Sequence, residues 1–198
     1  MHVAFSIKRQ GKEHQMANNA NKNPGSPEVE AAATPTGSWY RLTNMFLGDG
    51  RSLDTYSNGD NDPFMGNTGN YSGQYWKITS LGGGYFRFTN MFLGDGRSLD
   101  TYSNDNNQPF MGNTGNYSGQ YWNITPLGDD YYRLTNMFLG SGRSLDTYSD
   151  GNNEPFMGNT GNYSGQYWRI TPITGADAAD FAGVDPKSLQ HSVRRPKS

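Results

Sequence analysis

An aspartate, an asparagine and a tyrosine recur together along this chain: Asp54, Asn70 and Tyr71, then Asp100, Asn116 and Tyr117, then Asp146, Asn162 and Tyr163. A carboxylate accepts hydrogen bonds side by side, an amide both donates and accepts, and a phenol ring offers a flat apolar face. Such a set suits a ligand with paired hydroxyls along one edge and an apolar C–H patch on one face, as a pyranose has. The same aspartate has a plainer use: it can cap a turn or accept from neighbouring backbone amides. Residue types alone leave both readings open, because only convergence in space makes a binding site.

Other chemistries find less support. His2, His14 and His191 all lie outside the recurring segments, which argues against a histidine-based triad or metal cluster among them. The chain has no cysteine, which removes disulfides, thiolate metal sites and cysteine nucleophiles and hints at a reducing compartment. Glycoside hydrolysis needs paired carboxylates. The acids near Asp54 are Asp60 and Asp62, and their counterparts include Asn106, Gln108, Asn152 and Glu154, so no pair is preserved among the copies. No glycine loop for cradling phosphates is present. The expectation is a chain that is not an enzyme and takes no cofactor.

The recurring residues belong to long repeats, Tyr40 to Thr79, Phe86 to Thr125 and Tyr132 to Thr171, with Trp76, Trp122 and Trp168 at intervals of 46 residues. The segment PFMGNTGNYSGQYW is identical at 63–76, 109–122 and 155–168. Within a repeat, short alternating stretches read as strands. Tyr40 to Thr43 places Tyr40 and Leu42 on one face, and Arg51 to Tyr56 sets Leu53 opposite Asp54. Phe64-Met65 forms a third strand, and Tyr75 to Ile78 puts Trp76 and Ile78 on a shared face. Turns fall at 48–50, 57–63 and 67–73. Four strands per repeat predict about twelve in all. Propellers typically need at least four blades, so three copies favour a pseudo-threefold barrel capped by hairpins. Its expected core is Leu42, Leu47, Leu53, Met65, Trp76 and Ile78 with their equivalents. Trp76 reads as core, and Gln74 as a buried amide that satisfies loop backbone groups. Asn44 to Leu47 reads as a hairpin packed against the barrel bottom; the alternative is that one of Met45 and Phe46 points outward and offers an apolar contact surface. Arg51, Arg97 and Arg143 read as solvated strand-edge residues, with pairing to nearby acids or engagement of acidic sugars as the alternatives.

Composition agrees with an all-β chain. Hydrophobic residues are 33% of the 198, aromatic residues are 14%, and glycine occurs 26 times, as suits a small core of large rings joined by tight turns. The formal charge is −2, and the repeats carry no basic run, so nucleic acid is not an expected partner. No apolar stretch approaches a membrane span. Val3-Ala4-Phe5 precedes basic residues, the wrong order for a secretory signal, so the expected location is cytoplasmic or non-classically secreted. The three Asn-Tyr-Ser sequons at Asn70, Asn116 and Asn162 are accordingly expected to be unused. The domain expectation is a flexible arm over 1–36, one domain over 37–175, and a tail over 176–198 with room for a short helix. The repeats fall at about 39–84, 85–130 and 131–173.

Gln74-Tyr75-Trp76, Gln120-Tyr121-Trp122 and Gln166-Tyr167-Trp168 each follow a Gly-Arg-Ser-Leu-Asp element, at 50–54, 96–100 and 142–146. This pairing resembles the ricin B-type (QxW) β-trefoil lectins, over about 135 residues of the 198. The resemblance implies an all-β, pseudo-threefold β-trefoil of four-stranded repeats. It also implies metal-independent binding of mono- or oligosaccharides and glycoconjugates at up to three equivalent sites. In the family, the aspartate after leucine accepts from sugar hydroxyls, a downstream ring stacks on the sugar, and an asparagine near Gln-x-Trp adds polar contacts. The aspartate corresponds to Asp54, Asp100 and Asp146. Both Asn67 and Asn70 are candidates for the asparagine, with Asn113 and Asn116, then Asn159 and Asn162. The family's stacking ring ends the third strand, where this chain instead has Gly66. Either Tyr71, Tyr117 and Tyr163 supply the ring from the next loop, or the sites are degenerate. Degenerate sites would favour a trefoil that binds a protein through its loops, as protease-inhibitor trefoils do, or a structural repeat protein.

Overall fold

A computed structural model describes residues 39–55, 62–101, 108–147 and 154–173. The arm expected over 1–36, the tail expected over 176–198 and most of the turn at 57–63 lie outside the described residues.

Each repeat supplies four short strands. The first gives β1 (Trp39–Asn44), β2 (Arg51–Asp54), β3 (Phe64–Asn67) and β4 (Trp76–Gly82). The second gives β5 (Tyr85–Asn90), β6 (Arg97–Asp100), β7 (Phe110–Asn113) and β8 (Trp122–Gly128). The third gives β9 (Tyr131–Asn136), β10 (Arg143–Thr147), β11 (Pro155–Asn159) and β12 (Trp168–Pro172). The outer strands of each repeat close a barrel in the order β1-β12-β9-β8-β5-β4, while β2-β3, β6-β7 and β10-β11 form two-stranded hairpins. β1 pairs antiparallel with β12, Leu42 facing Ile170. The first and last repeats are therefore neighbours, and closure leaves the barrel no free edge. The result is an all-β, pseudo-threefold, trefoil-like architecture.

Alternation along the strands fills the barrel. Tyr40, Leu42, Trp76 and Ile78 are buried, and Leu53 and Met65 join them from the hairpin, in one cluster with their equivalents from the other repeats. At Leu42's equivalent position the second repeat has Phe88, whose ring meets Trp122 edge-on at 6.2 Å. Leu47, expected in the core, is only half-buried, as are Leu93 and Leu139; all three pack against the cluster from its rim. The cause is local: the Leu47 N–H donates to Asn44 Oδ1 at 2.9 Å, which holds the leucine at a turn rather than on an inward-facing strand position. Trp76, Trp122 and Trp168 have no exposed surface. Each indole N–H donates to the leucine carbonyl of its own repeat's hairpin, at 2.9 Å to Leu53, 2.8 Å to Leu99 and 2.8 Å to Leu145. These bonds bind hairpin to barrel, and burying the indole leaves no polar group unpaired.

Trp122→Phe should therefore leave the Leu99 carbonyl buried without its donor. The expected loss is about 1–3 kcal/mol plus a cavity contribution, read as a lower midpoint in chemical denaturation.

Candidate functional site

Asp54 and Asp100 end the second strand of their repeats, and Asp146 holds the matching place in β10. They are 1%, 7% and 8% exposed. The carboxylate of Asp100 accepts from the Thr101 N–H at 2.8 Å through Oδ1 and from Gln120 Nε2 at 2.8 Å through Oδ2. Asp146 is held the same way by Thr147 N–H and Gln166 Nε2, and Asp54 accepts from Gln74 Nε2 at 2.9 Å. Each glutamine does more. Gln120 Nε2 also donates to the Asn113 carbonyl at 2.8 Å, and its Oε1 accepts from the Gly115 N–H at 3.0 Å. The Gln of Gln-Tyr-Trp thus ties together the end of the second strand, the end of the third and the following loop.

Ser-Gly-Gln forms a single 3-10 turn in every repeat, at Ser72–Gln74, Ser118–Gln120 and Ser164–Gln166. The central glycine allows this turn to lie against the aspartate. A Cβ placed on Gly119 would stand 2.1 Å from the Thr101 carbonyl oxygen and 2.2 Å from Asp100 Oδ1, and Gly73 and Gly165 are equally confined.

Two matching cavities of about 410 Å3 open beside these turns. In one, Asp100, Asn116 and Tyr117 of the second repeat meet Phe110 from the start of β7 and Phe138 from the third repeat. In the other, Asp146, Asn162, Tyr163 and Phe156 meet Phe46 from the first repeat. Both therefore straddle a junction between repeats. Asn136 builds the first junction: its Nδ2 donates to Thr101 Oγ1, and its Oδ1 accepts from the Leu139 N–H at 2.9 Å, which fixes the loop carrying Phe138. Asn44 does the same for Phe46, donating to Thr147 Oγ1 at 2.5 Å. Tyr117 and Tyr163 are 60% exposed, yet each ring lies against a glycine backbone. A Cβ on Gly115 or Gly161 would fall 2.4 or 2.5 Å from the ring.

The aspartates, the second set of asparagines and the tyrosines expected from sequence thus come together at two junctions. Asn113 and Asn159 do not line these cavities; with Asn67 they are exposed strand-end residues, and their backbone carbonyls accept from the glutamines. Sequence reasoning missed Phe110, Phe156, Phe46 and Phe138. The Pro-Phe that opens each third strand was the available signal for the first two. The hairpin expectation needs correction, because both Met45 and Phe46 are exposed, as are Met137 and Phe138. Arg51, Arg97 and Arg143 are half-buried and donate to the carbonyls of Met65, Met111 and Met157 rather than standing free in water.

The first repeat departs from the others. Asp54, Asn70 and Tyr71 carry the same local sequence, but Phe92, the counterpart of Phe138, is buried, and Met91 packs with Tyr75, Ile173 and Trp39. Trp39 and Ile173 bracket the repeats and are tied by an Ile173 N–H to Trp39 carbonyl bond of 2.8 Å. Among the described residues, the second and third repeats have no such end beside their equivalent turns.

Burial raises the pKa of Asp100 and Asp146 above the ordinary carboxylate value, and the donors from Gln120 and Thr101, or Gln166 and Thr147, offset part of that rise. Among the described residues, no group of three or more His, Cys, Asp or Glu side chains is placed to hold a metal ion.

Gly119→Ala should cost about 3 kcal/mol, the upper range for overpacking, because the contact is with backbone; thermal denaturation measures it. A carboxylate whose folded pKa is raised favours folding fully below its unfolded pKa, and loses that contribution as pH rises through the folded value. Acidification should accordingly protonate Asp100 and Asp146 in the folded protein before the unfolded chain, with NMR carboxyl midpoints above 3.8.

A sequence profile described as "Ricin-type beta-trefoil lectin domain-like" matches residues 72–157, from the first Ser-Gly-Gln turn into the third repeat. No curated protein sequence matches the chain. Among solved structures, the designed threefold-symmetric protein ThreeFoil superposes with a TM-score of 0.59 at 21% identity, over 68% of this chain and 99% of that one. A GlcNAcα1-4Gal-releasing endo-β-galactosidase from Clostridium perfringens gives 0.58 at 21% identity, over 69% of this chain but only 33% of that one. The Polyporus squamosus lectin, solved with a human-type influenza-binding epitope, gives 0.60 at 15% identity, over 71% and 51%. This chain therefore spans about a third of the second relative and half of the third. At these identities the likeness is one of fold, and the fold is that of a β-trefoil, lectin-like domain.

Proposed function

We propose that this chain is a carbohydrate-binding module of the ricin B-type, QxW kind, holding single sugar residues of glycoconjugates without metal and catalysing no reaction. The observation that carries this reading is the repeated convergence of aspartate, asparagine and aromatic rings in equal cavities at two repeat junctions. An ionised carboxylate has about four acceptor positions. Gln120 and the Thr101 N–H use two at Asp100, which leaves capacity for neighbouring sugar hydroxyls. Asn116 adds a donor and an acceptor, while Tyr117, Phe110 and Phe138 supply apolar ring surface for the C–H face. The first-repeat set of Asp54, Asn70 and Tyr71, with Asn67 beside it, stands as a third site of altered surroundings. Shallow single sites bind weakly, and several on one rigid domain gain through avidity on a multivalent glycan. The solved Polyporus lectin complex supports a saccharide as the ligand class for this fold. The domain that carries the function spans 37–175.

The exposed Met45–Phe46 and Met137–Phe138 pairs favour a second reading, in which a protein docks on the same loops.

A glycan array probed with the whole chain separates these readings. The parent protein should bind a subset of glycans. Phe46→Ala with Phe138→Ala, which remove exposed rings and spare the core, should weaken that binding about tenfold or more, the scale of one ring contact at each site. Silence of the folded parent across the array would reject the sugar reading in favour of the protein partner.

A further inference from the structure

The three repeats differ at few positions, and two of those positions touch each other. On the barrel strands Lys77, Asn123 and Arg169 are equivalent, and in the loops after the first strand Asp49, Asp95 and Ser141 are equivalent. The contacts join one repeat to the next. Lys77 Nζ meets Asp95 at 3.2 Å, and Arg169 Nη1 meets Asp49 at 3.1 Å. Each carboxylate also accepts from a strand threonine, Thr89 Oγ1 at 3.2 Å and Thr43 Oγ1 at 3.3 Å. At the remaining junction the cation and the anion are both replaced, by Asn123 and Ser141. The equivalent threonine, Thr135, is 8% exposed and has Ser141 where its counterparts have an aspartate.

A cavity of about 460 Å3 lies at this junction, lined by Asn123, Thr135, Ser141, Arg133, Tyr85 and Thr160 among others. Among the described residues that line it, none is acidic. Thr135, Ser141 and Asn123 bring hydroxyl and amide donors, and Arg133 brings a positive charge. Its guanidinium donates through Nη2 to the Gly161 carbonyl at 2.6 Å, as Arg41 and Arg87 do to Gly69 and Gly115, and all three arginines have a buried Nε without a partner. The cavity therefore offers donors where the other two junctions hold a carboxylate, beside a guanidinium that all three repeats share.

We infer that this cavity is a second kind of binding site, which takes the carboxylate of a small ligand in the place that Asp49 and Asp95 fill at the other junctions. Thr135 Oγ1 donates to that carboxylate as Thr43 and Thr89 do to theirs. Ser141 and Asn123 supply further donors, and Arg133 supplies the field that favours an anion. The cavity is larger than a carboxylate alone requires, and Tyr85 gives it one aromatic wall, so a single ring bearing the acid, as in a uronic acid, is the class of ligand that fits. None of the six residues named lines either of the two cavities around Asp100 and Asp146, so the groups that would hold this ligand are distinct from those of the sugar pockets proposed above, although Asn136, which builds the first of those junctions, also lines this cavity.

Two-dimensional NMR of the whole chain tests it, with acetate, glucuronate and glucose as probes. Acetate and glucuronate should each give saturable shifts at Thr135, Ser141 and the Asn123 side-chain amide, and glucose at equal concentration should not. The double variant Ser141→Asp with Asn123→Lys restores the pair found at another junction, so its fold is expected to persist, and the same spectra verify this. In it the shifts should weaken at least about tenfold, since a fixed carboxylate occupies the place of the ligand's. The inference is overturned if neither acid gives saturable shifts, if glucose matches glucuronate, or if the folded double variant binds as the parent does.

Discussion

The amide of Gln120 donates to the Asp100 carboxylate and to the Asn113 carbonyl, while its oxygen accepts from the Gly115 N–H. Gln74 and Gln166 repeat the same three bonds. A buried polar group without a partner costs about as much as several surface contacts supply, so these connections fix the relative positions of two strand ends and a loop. The aspartate is held by the same bonds, and therefore the cavity beside it is held too. Framework and candidate site share one network. Loss of the glutamine would loosen the hairpin and leave a buried carboxylate with fewer donors.

The neighbouring Trp anchors that network to the barrel through its indole N–H, and the Asn at the end of the first barrel strand joins it to the next repeat. Because Asn136 and Asn44 position the loops that carry Phe138 and Phe46, each cavity is completed only when two repeats have docked. A single repeat would hold the polar half of a site and lack one of its rings. The pseudo-threefold closure that removes sheet edges also makes the cavities.

Near-identical repeats do not give identical environments. Met91-Phe92 has the same sequence as Met45-Phe46 and Met137-Phe138, yet it is buried, Met91 packing with Tyr75, Trp39 and Ile173, while the others are exposed. The junction at Asn123 and Ser141 differs from its two counterparts for the opposite reason: its backbone setting is shared, and the side chains have changed. Closing three near-identical repeats into one barrel leaves their surroundings unequal, and these are two places where the described residues show it.

Most of the fold was legible in the sequence. The recurring tryptophans, the period-two alternation and the glycine-rich turns specify strand number, inward faces and repeat unit, because burial of one strand face is a local and repeated constraint. The structural part of Gln74, Gln120 and Gln166 was legible for the same reason. Leu47 was misjudged because its apolar type points to the core, whereas its position after a turn leaves it at the rim. Asn67, Asn113 and Asn159 could not be told from Asn70, Asn116 and Asn162 by spacing, since both sets lie in one short loop. Only folding decided that the second set faces the cavities at 116 and 162. The contributions of Phe46 and Phe138 were beyond reach for a stronger reason: they come from the next repeat around the barrel. The sequence by itself determined the repeat, its strands and the chemical types available to a ligand. The tertiary structure decided which of those residues meet, because the cavities form between repeats, where no local pattern reports.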